Sequence, residues 1–421
     1  MSDTHKAIEA VWKIESTRLI AGIARVTRDV GIAEELAQDA LVAALERWPD
    51  EGIPDKPAAW LMTAAKRRAI DALRRGRMLE LKHGEIAREL EFQQQQLGEA
   101  MDHALDQVID DDVLRLIFTA CHPALAVEGR VALTLRLACG LTTAEIARSF
   151  LVPEKTLGQR IFRAKKNLSD ARVPFETPRG DQLKHRLKSV LSVVYLIFNE
   201  GYTATAGDEW MRAALCEDAL RLGRMLAQLL PEEPEVHGLL ALMELQASRS
   251  RARSGPAGEA VLLPEQDRSL WDHAQIQRGM AALERAQQLG GGADGCYALQ
   301  AAIVACHARA RTAAETAWER IVLLYDALLQ ISPSPIVGLN RAVAVGMAQG
   351  PAAGLQALEA LAAEPALANY HLLPSVRGDL LVKLERYAEA REELHRALAM
   401  TDNAREQDLL SRKIKQIVSP L

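Results

Sequence analysis

Hydrophobic residues recur at three- and four-residue intervals along most of the chain, which is the pattern of amphipathic helices. In the first segment this pattern predicts helices over residues 4–28 and 32–47 and a third helix from Pro57 to Arg75. Turn-forming residues over 49–54 interrupt it, and Pro57 suits the first turn of a helix. Alternating runs rich in valine, isoleucine and threonine, which are typical of strands, are almost absent. We therefore expect an all-α protein.

Breaks in the helical pattern divide the 421 residues into several parts, as expected of a chain too long for one ordinary core. We expect two small helical modules, a polar linker between them and a large helical domain. The boundaries that the pattern predicts are 1–77 for the first module, 78–109 for the linker, 110–173 for the second module and 180–421 for the large domain.

Weak internal similarity appears near the end of the chain. The stretch from Leu384 to Leu398 alternates small and large side chains as a tetratricopeptide helix pair does. The stretch from Asn340 to Leu358 resembles it at a spacing of roughly 34 to 36 residues, the range expected of that repeat. The large domain is therefore predicted to be a tetratricopeptide-like helical repeat.

Composition and charge restrict the possible functions. Hydrophobic residues make up 49% of the chain but aromatic ones only 4%, which supports a helical protein. The net charge of −5 argues against a general affinity for nucleic acids, so such binding would need a local basic face. The five cysteines lack CxxC spacing, which favours reduced thiols in a cytoplasmic protein. No uncharged apolar run reaches about 18 residues, so we expect no membrane association.

The helix that begins at Pro57 carries a dense basic face. Its apolar positions, Leu61, Ala65, Ile70 and Leu73, are expected to pack against neighbouring helices. Crowded like charges repel one another, and a polyanion would relieve that repulsion and release counterions. A solvated basic surface is the alternative, and Trp60 is suited either to stacking on an unpaired base or to anchoring the helix in the core. The candidate DNA-binding residues here are Trp60, Lys66, Arg67, Arg68, Arg74 and Arg75.

A helix-turn-helix is predicted over residues 141–168. Thr142 or Thr143 is placed to cap the first helix, with Glu145 at the capping-box position, and Pro153 starts the second helix. Ile146, Ala147, Leu157 and Ile161 supply the apolar positions that lock two such helices together. A basic second helix of this kind can enter the major groove of DNA, although a plain helical corner is the alternative. The candidate residues for duplex binding are Lys155, Thr156, Gln159, Arg160, Phe162, Arg163 and Lys166.

The ordered set of motifs resembles the extracytoplasmic-function (ECF) sigma factors. Residues 33–41 resemble the polymerase-binding helix of that family, residues 59–75 its −10 element helix, and residues 141–166 its −35 reading region. The resemblance implies that the first module binds the β′ clamp helices of core RNA polymerase and captures unpaired −10 bases of promoter DNA. It also implies that the second module reads the −35 duplex and touches the β flap. The polymerase-binding residues that it implies are Glu34, Glu35, Leu36, Gln38 and Asp39.

Two positions depart from the family pattern. Arg67 stands where the family often has asparagine, which affects the details of single-strand capture. Gly158 stands where a longer base-reading side chain is frequent, so we expect the −35 contacts to shift towards Gln159, Phe162 and the arginines.

The large domain resembles the extension of the sigma-factor subgroup that carries a long tetratricopeptide-like C-terminal part. The segments that carry this resemblance are 198–202, 229–231, 238–243 and 265–271. A concave helical surface of this type suggests a protein or peptide partner.

Polar residues of the large domain do not form a recognisable catalytic motif. The chain has no phosphate-binding loop, no HExxH and no nucleophile elbow, so we expect no enzymatic activity, cofactor or metal. The polar groups are expected instead to hydrogen-bond between helices and cap loops. They are Asn199, Glu200, Tyr202, Asp208, Glu209, Asp218 and the run from Glu265 to Arg268.

The sequence favours an alternative sigma factor with a regulatory C-terminal domain. One alternative is a helix-turn-helix DNA-binding regulator that does not replace a sigma factor. Another is a tetratricopeptide interaction scaffold whose basic helices are incidental.

Overall fold

The protein is described as a computed structural model in which every regular element of the described residues is a helix. The expected all-α fold class is confirmed. The chain divides into two compact units, Met1–Ile197 and Phe198–Leu421. The described residues are 3–80, 109–150, 152–202, 212–255, 261–291, 295–361, 364–368, 370–401 and 404–418.

The first unit begins with three helices, α1 (Asp3–Thr27), α2 (Val30–Glu51) and α3 (Pro57–Glu80). The Asp29 side chain caps α2 by accepting hydrogen bonds from the N–H groups of Gly31 and Ile32.

The second predicted helix was expected to stop at residue 47, but α2 continues through Pro49. A proline removes one backbone hydrogen bond, and here the loss falls in the last turn, which also carries the buried Trp48. Gly52, at φ +88°, then ends the helix by donating its N–H to the carbonyl of Trp48. The break in the structure therefore begins at Gly52, three residues after the predicted start at residue 49.

The second module comprises α4 (Ile109–Ala120), α5 (Val127–Ala138), α6 (Thr143–Ser149) and α7 (Glu154–Asp170). Residues 81–108, which hold most of the predicted linker, lie outside the described residues.

The following helix, α8 (Asp181–Tyr202), starts within the first unit. Arg186 donates a hydrogen bond to the carbonyl of Phe118, and Ser189 donates one to the carbonyl of Cys121. The first compact unit thus extends to Ile197, beyond the boundary at 180 that the sequence suggested.

The second unit continues with ten α-helices and four short 3-10 helices among its described residues. Its first helices surround α10, which packs against α9, α11 and α12. Gly238 makes the close crossing of α10 and α12 possible, because a Cβ there would lie 2.6 Å from the backbone nitrogen of Ala298. The helices are α9 (Ala213–Leu229), α10 (Pro234–Ala247), α11 (His273–Gln288), α12 (Cys296–Arg309), α13 (Trp318–Ile331), α14 (Pro335–Ala348), α15 (Pro351–Glu359), α16 (Leu372–Lys383), α17 (Tyr387–Ala399) and α18 (Ala404–Val418).

The later helices pack pairwise, α14 on α15 and α16 on α17. The second helices of the two pairs begin at Pro351 and Tyr387, which agrees with the spacing inferred from sequence. Gly354 on α15 faces Gly346 on α14 so closely that a Cβ at Gly354 would lie 2.7 Å from the Gly346 Cα. Small residues at this crossing therefore let the two helices approach, as the alternation of small and large side chains predicts.

Candidate nucleic-acid and polymerase interface

The predicted helix-turn-helix is formed by α6 and α7. The Thr142 hydroxyl accepts a hydrogen bond from the Glu145 N–H at 3.1 Å, and the Glu145 carboxylate accepts one from the Thr142 N–H at 2.8 Å. Thr142 is thus the cap of a complete capping box. Ile146, Leu157 and Ile161 are buried between the helices together with Ala147. The apolar positions predicted to lock the motif are confirmed.

The outer face of α7 is polar and basic. Lys155, Gln159, Arg163 and Lys166 are exposed, and Thr156 and Arg160 are half-buried. Among the described residues, none of the four cations Lys155, Arg160, Arg163 and Lys166 forms an ion pair. Within the part of the chain that the structure describes, this positive charge is therefore uncompensated, which suits a surface that meets phosphates.

One aromatic side chain stands on this basic face. Phe162 is 67% exposed, although it belongs to a helix whose other large apolar residues are buried. Open space surrounds the position that a Cβ on Gly158 would occupy, so the missing side chain leaves a shallow depression in this face. An exposed phenyl ring beside arginines can contact a thymine methyl group in the major groove.

Helix α3 places Trp60 against Trp48, with ring centroids 5.5 Å apart in an edge-to-face arrangement. Trp60 itself is half-buried, so it anchors α3 on α2 while part of the ring stays accessible.

The buried stripe of α3 runs through Leu61, Ala65 and Ala69. Ile70 was expected to pack inward, but it is 37% exposed. The reason is helical geometry: Ala69 continues the four-residue spacing of Leu61 and Ala65, whereas Ile70 lies about 100° further round. The side chain of Leu73 lies outside the described residues.

The basic residues of α3 are only partly described. Arg67 is exposed, Lys66 is half-buried, and Arg68 donates a hydrogen bond to the carbonyl of Asp39 on α2. The side chains of Arg74 and Arg75, which complete the predicted −10 set, lie outside the described residues.

The candidate polymerase-binding residues of α2 fall into two groups. Glu35 and Asp39 are exposed and Gln38 is half-buried, but Leu36 and Glu34 are buried. The Glu34 carboxylate accepts a hydrogen bond from the Arg136 Nε at 2.6 Å and forms an ion pair with the Lys165 Nζ at 2.5 Å.

The first module packs against the second through this carboxylate and through α1. The Thr17 hydroxyl donates to the carbonyl of Ala138 at 3.1 Å, and Arg25 lies 3.4 Å from the buried Asp112. Sequence reasoning did not find this contact, because its partners lie about a hundred residues apart and no local pattern links them.

Two of the candidate polar residues of the second unit form structural contacts. Glu200 accepts a hydrogen bond from Arg212, and Asp218 accepts one from Arg221 at 3.0 Å. Asp208 and Glu209 lie outside the described residues. Within the described ranges, no three His, Cys, Asp or Glu side chains come together in a way that could hold a metal ion.

Of the helices that the structure describes, none combines the length and the apolar character needed to cross a membrane.

Comparison with family models finds matches over three parts of the chain. The model of Sigma-70 region 2 matches residues 15–78, and that of Sigma-70, region 4 matches residues 115–168. Residues 186–287 match a family of unknown function, DUF6596. The basic helix α3 thus lies in the region 2 match, and the helix-turn-helix lies in the region 4 match.

Similar proteins cover either most of the chain or somewhat more than a third of it. An uncharacterized protein of Rhizobium meliloti (strain 1021) is 43% identical over 388 residues, which span 92% of this chain and 90% of that protein. The ECF RNA polymerase sigma factor SigK of Mycobacterium ulcerans (strain Agy99) is 30% identical over 162 residues, spanning 37% of this chain and 81% of that protein. SigK of Mycobacterium sp. (strain KMS) is 29% identical over 159 residues, spanning 37% of this chain and 77% of that protein. The chain therefore belongs to the ECF RNA polymerase sigma factors, which are alternative sigma factors and not enzymes.

Proposed function

We propose that this sigma factor reads the −35 duplex with α7, captures the opened −10 strand with α3 and holds core RNA polymerase with α2. The observation that carries the proposal is the outer face of α7, where four cations without ion pairs among the described residues surround Gln159 and Phe162. Its place of action is the cytoplasm, where polymerase and chromosome meet.

In the −35 contact, side chains of different chemistry have different tasks. Gln159 can pair with the edge of an adenine, and Arg160 and Arg163 can pair with guanine or clamp phosphates. Lys155 and Lys166 supply phosphate contacts, which position the helix without reading sequence. Thr156 and Phe162 complete the surface with a hydroxyl and an apolar contact.

In the −10 contact, the bases must leave the duplex before α3 can hold them. Lys66, Arg67, Arg68, Arg74 and Arg75 supply charge for the backbone, and the accessible part of Trp60 supplies a stacking surface. The polymerase contact is assigned to the β′ clamp helices for α2 and to the β flap for the second module.

The contact between the two modules has to open before both promoter elements are bound. The −10 and −35 elements lie about 25 base pairs apart, which is roughly 85 Å of duplex at 3.4 Å per base pair. A compact unit of the size of Met1–Ile197 has a radius of gyration of about 16 Å and cannot span that distance. Polymerase binding therefore competes with the Glu34 contacts, and release of Glu34 uncovers the full surface of α2.

The C-terminal unit is proposed to regulate this sigma factor through a protein or peptide partner. Its described residues form helical pairs with the close glycine crossings of a binding repeat, which supports an interaction role.

Runoff transcription with sigma-free core polymerase tests the proposed function. We expect the full chain to direct initiation from a subset of promoters in a fragment library of its own genome. A folded protein that binds a duplex but initiates nowhere would favour a helix-turn-helix regulator instead. A folded protein that neither binds DNA nor supports initiation would favour an interaction scaffold.

The regulatory role is tested in the same assay with a chain that ends after Tyr202. We expect its activity to differ from that of the full chain, because it lacks the helical repeats. Equal activity of the two proteins on the same promoters would contradict a regulatory C-terminal unit.

A further inference from the structure

Helices of the second unit enclose a groove of about 780 Å³. Its floor belongs to the hydrophobic core, because Ile321, Ala344, Leu380 and Leu394 line the groove and are each at most 5% exposed. A floor of packed core residues is rigid, so a ligand that binds there needs little reorganisation of the protein. Small-molecule sites typically have volumes of about 300–1,000 Å³. The groove therefore has the size and the preformed shape of a ligand site.

The walls of the groove are largely apolar and partly open to solvent. Met347 and Tyr387 line it and are 38% and 46% exposed. The indole of Trp318 is held in place by the edge-to-face packing of His307, with ring centroids 5.1 Å apart. A methionine side chain adapts to the shape of a ligand, whereas a held indole presents a rigid apolar face. The apolar lining includes Trp318, Tyr325, Val343, Met347, Val376 and Tyr387.

Two of the cations that line the groove already have partners within the protein. The Lys413 ammonium lies 2.8 and 2.7 Å from the two carboxylate oxygens of Asp379. The Arg268 guanidinium donates to two backbone carbonyls at 2.6 and 2.8 Å, and the carboxylate of Glu265 lines the same groove. Neither cation therefore needs a counter-ion from a ligand.

Two further groups at the groove do not favour a charged ligand either. Burial lowers the pKa of His307 to about 4, and the charges of Arg249 and Arg268 act in the same direction, so the imidazole is neutral near pH 7. The Lys383 ammonium contacts the Met347 sulfur at 3.2 Å, but its side chain is exposed and stays hydrated. A charged ligand would lose hydration in the apolar groove, and that loss costs free energy unless a counter-charge is available. The electrostatics therefore favour an uncharged ligand.

An amide on the wall of the groove narrows the chemistry further. Asn340 lines the groove on the same stripe of α14 as Val343 and Met347, and its side chain is exposed. An amide both donates and accepts hydrogen bonds, so it can pair with an uncharged carbonyl, hydroxyl or amine. A pure hydrocarbon would remove water from this amide without replacing its hydrogen bonds. The lining therefore suits an apolar molecule that carries a polar but uncharged group.

We propose that this groove binds an uncharged, mostly apolar small molecule, whose body packs on Trp318 and Met347 and whose polar group pairs with Asn340. The site goes beyond the proposed function, which gives the C-terminal unit a protein or peptide partner. The ligand contacts α14 and α16, the first helices of two packed pairs, and so acts on the unit that is proposed to regulate the sigma factor.

Fluorescence titration of the full chain tests the site with two dyes that share the same rings. Anilinonaphthalene is uncharged, whereas anilinonaphthalene sulfonate is an anion, and both become fluorescent when they leave water for an apolar site. We expect one saturable site per chain for the uncharged dye. The sulfonate should bind at least about tenfold more weakly, because its charge loses hydration in the groove.

Variants locate the dye in the groove. Met347→Glu places a carboxylate on the apolar wall and should weaken binding of the uncharged dye by about tenfold or more. Leu323→Glu is the matched control: this leucine on α13 is 69% exposed and does not line the groove, so the variant should bind like the wild type. Val376→Trp adds volume without charge and should also weaken binding, because it fills part of the groove. Melting curves by circular dichroism verify that each variant is folded.

Four results would overturn the proposal. They are the absence of saturable binding by the uncharged dye, equally tight binding of the sulfonate, unchanged binding in both Met347→Glu and Val376→Trp, and displacement of the bound dye by random dodecapeptides, which would assign the groove to a peptide. Transcription by the same preparation separates these failures from that of the proposed function. Initiation at promoters without dye binding rejects the groove assignment alone, whereas dye binding without initiation at any promoter rejects the sigma-factor mechanism alone.

Discussion

The carboxylate of Glu34 lies 2.5 Å from the ammonium of Lys165, although the two residues belong to different promoter-binding modules. The same carboxylate accepts a hydrogen bond from Arg136, so one buried acid on α2 holds a cation of α5 and a cation of α7. The helix assigned to polymerase and the helix assigned to the −35 duplex are thus joined through a single side chain.

Glu34→Gln should weaken the contact between the modules. The substitution leaves Arg136 and Lys165 side by side without their counter-charge, and breaking a buried pair in this way costs about 3 kcal/mol or more. We expect a lower midpoint of urea unfolding and, because the modules separate more readily, tighter binding of a −35 duplex by the free protein. Glu35→Gln, at the exposed neighbouring position, is the control and should change neither property. Identical unfolding of the two variants would argue against a stabilising role for Glu34.

Substitutions on α7 should separate sequence reading from phosphate binding. Gln159→Ala should relax the base preference at one position of the −35 element by about 1–3 kcal/mol and leave the salt dependence of binding unchanged. Lys166→Ala should weaken binding to all duplexes alike and reduce the slope of log affinity against log salt by about 1. Both effects are measured by fluorescence anisotropy over a range of salt concentrations. A uniform loss in Gln159→Ala would show that this residue does not read bases.

Promoter opening should depend on Arg67. Its side chain is exposed, whereas that of Arg68 bonds to the carbonyl of Asp39 and so also supports the packing of α3 on α2. Arg67→Glu should abolish the permanganate reactivity of thymines in the −10 region, because it places an anion beside the displaced strand. Binding to core polymerase, followed by gel filtration, should persist. Arg391→Glu carries the same charge change on α17 and should open promoters normally; loss of core binding by Arg67→Glu would contradict the assignment.

The capping box of α6 should make the helix-turn-helix sensitive to acid. Burial opposes ionisation of Glu145, but its hydrogen bonds with Thr142 and the charges of Lys13 and Arg148 outweigh burial and lower its pKa below the ordinary value. A carboxyl whose pKa is lower in the folded protein than in the unfolded one stabilises the fold at pH values above its unfolded pKa. That stabilisation is lost as the pH falls through the pKa of the folded state.

Urea unfolding at several pH values measures this contribution. The difference in free energy of unfolding between the wild type and Glu145→Gln should be largest at neutral pH. It should shrink below about pH 4.5, the ordinary pKa range of a glutamate. At neutral pH, Thr142→Ala should lose about 1 kcal/mol, whereas Thr143→Ala, just inside the helix, should lose less. A Glu145→Gln difference that does not vary with pH would rule out the charge of Glu145 as its source.

The capping box of α6 and the ion pair of Glu34 show how much of the structure could be predicted from the sequence alone. Thr142 and Glu145 are three residues apart, so the capping box is visible in the sequence, and the positions that lock α6 on α7 follow from the helical period. The pairing of Glu34 with Lys165 joins residues 131 positions apart and depends on how two modules pack, which no local pattern encodes. The family resemblance of residues 33–41 placed Glu34 among the polymerase-binding residues, whereas the structure buries it against Arg136 and Lys165.

The glycine at the crossing of α14 and α15 should resist substitution. A Cβ on Gly354 would lie 2.7 Å from the Gly346 Cα, and backbone atoms cannot move aside as a flexible side chain can. Gly354→Ala should therefore push the two helices apart and lower the melting temperature of the full chain. Gly158→Ala is the matched control: it lies inside α7 with no atom within 4 Å of its Cβ position, and alanine there should stabilise the helix by about 0.5–1 kcal/mol. A melting temperature unchanged by Gly354→Ala would show that the crossing can widen freely.

Truncation should show where the first unit ends. A chain that stops after Gly180 loses the hydrogen bonds that Arg186 and Ser189 donate to the carbonyls of Phe118 and Cys121. The Phe118 carbonyl lies in the last turn of α4, and that of Cys121 directly follows the helix. Without their donors, both carbonyls lack a hydrogen-bond partner beside the core of the second module, which lowers its stability by about 1 kcal/mol or more for each. A chain that stops after Tyr202 keeps both bonds and should unfold cooperatively at a higher temperature than the shorter one. Scanning calorimetry of the two fragments makes the comparison, and equal melting temperatures would mean that the first half of α8 adds nothing to the unit.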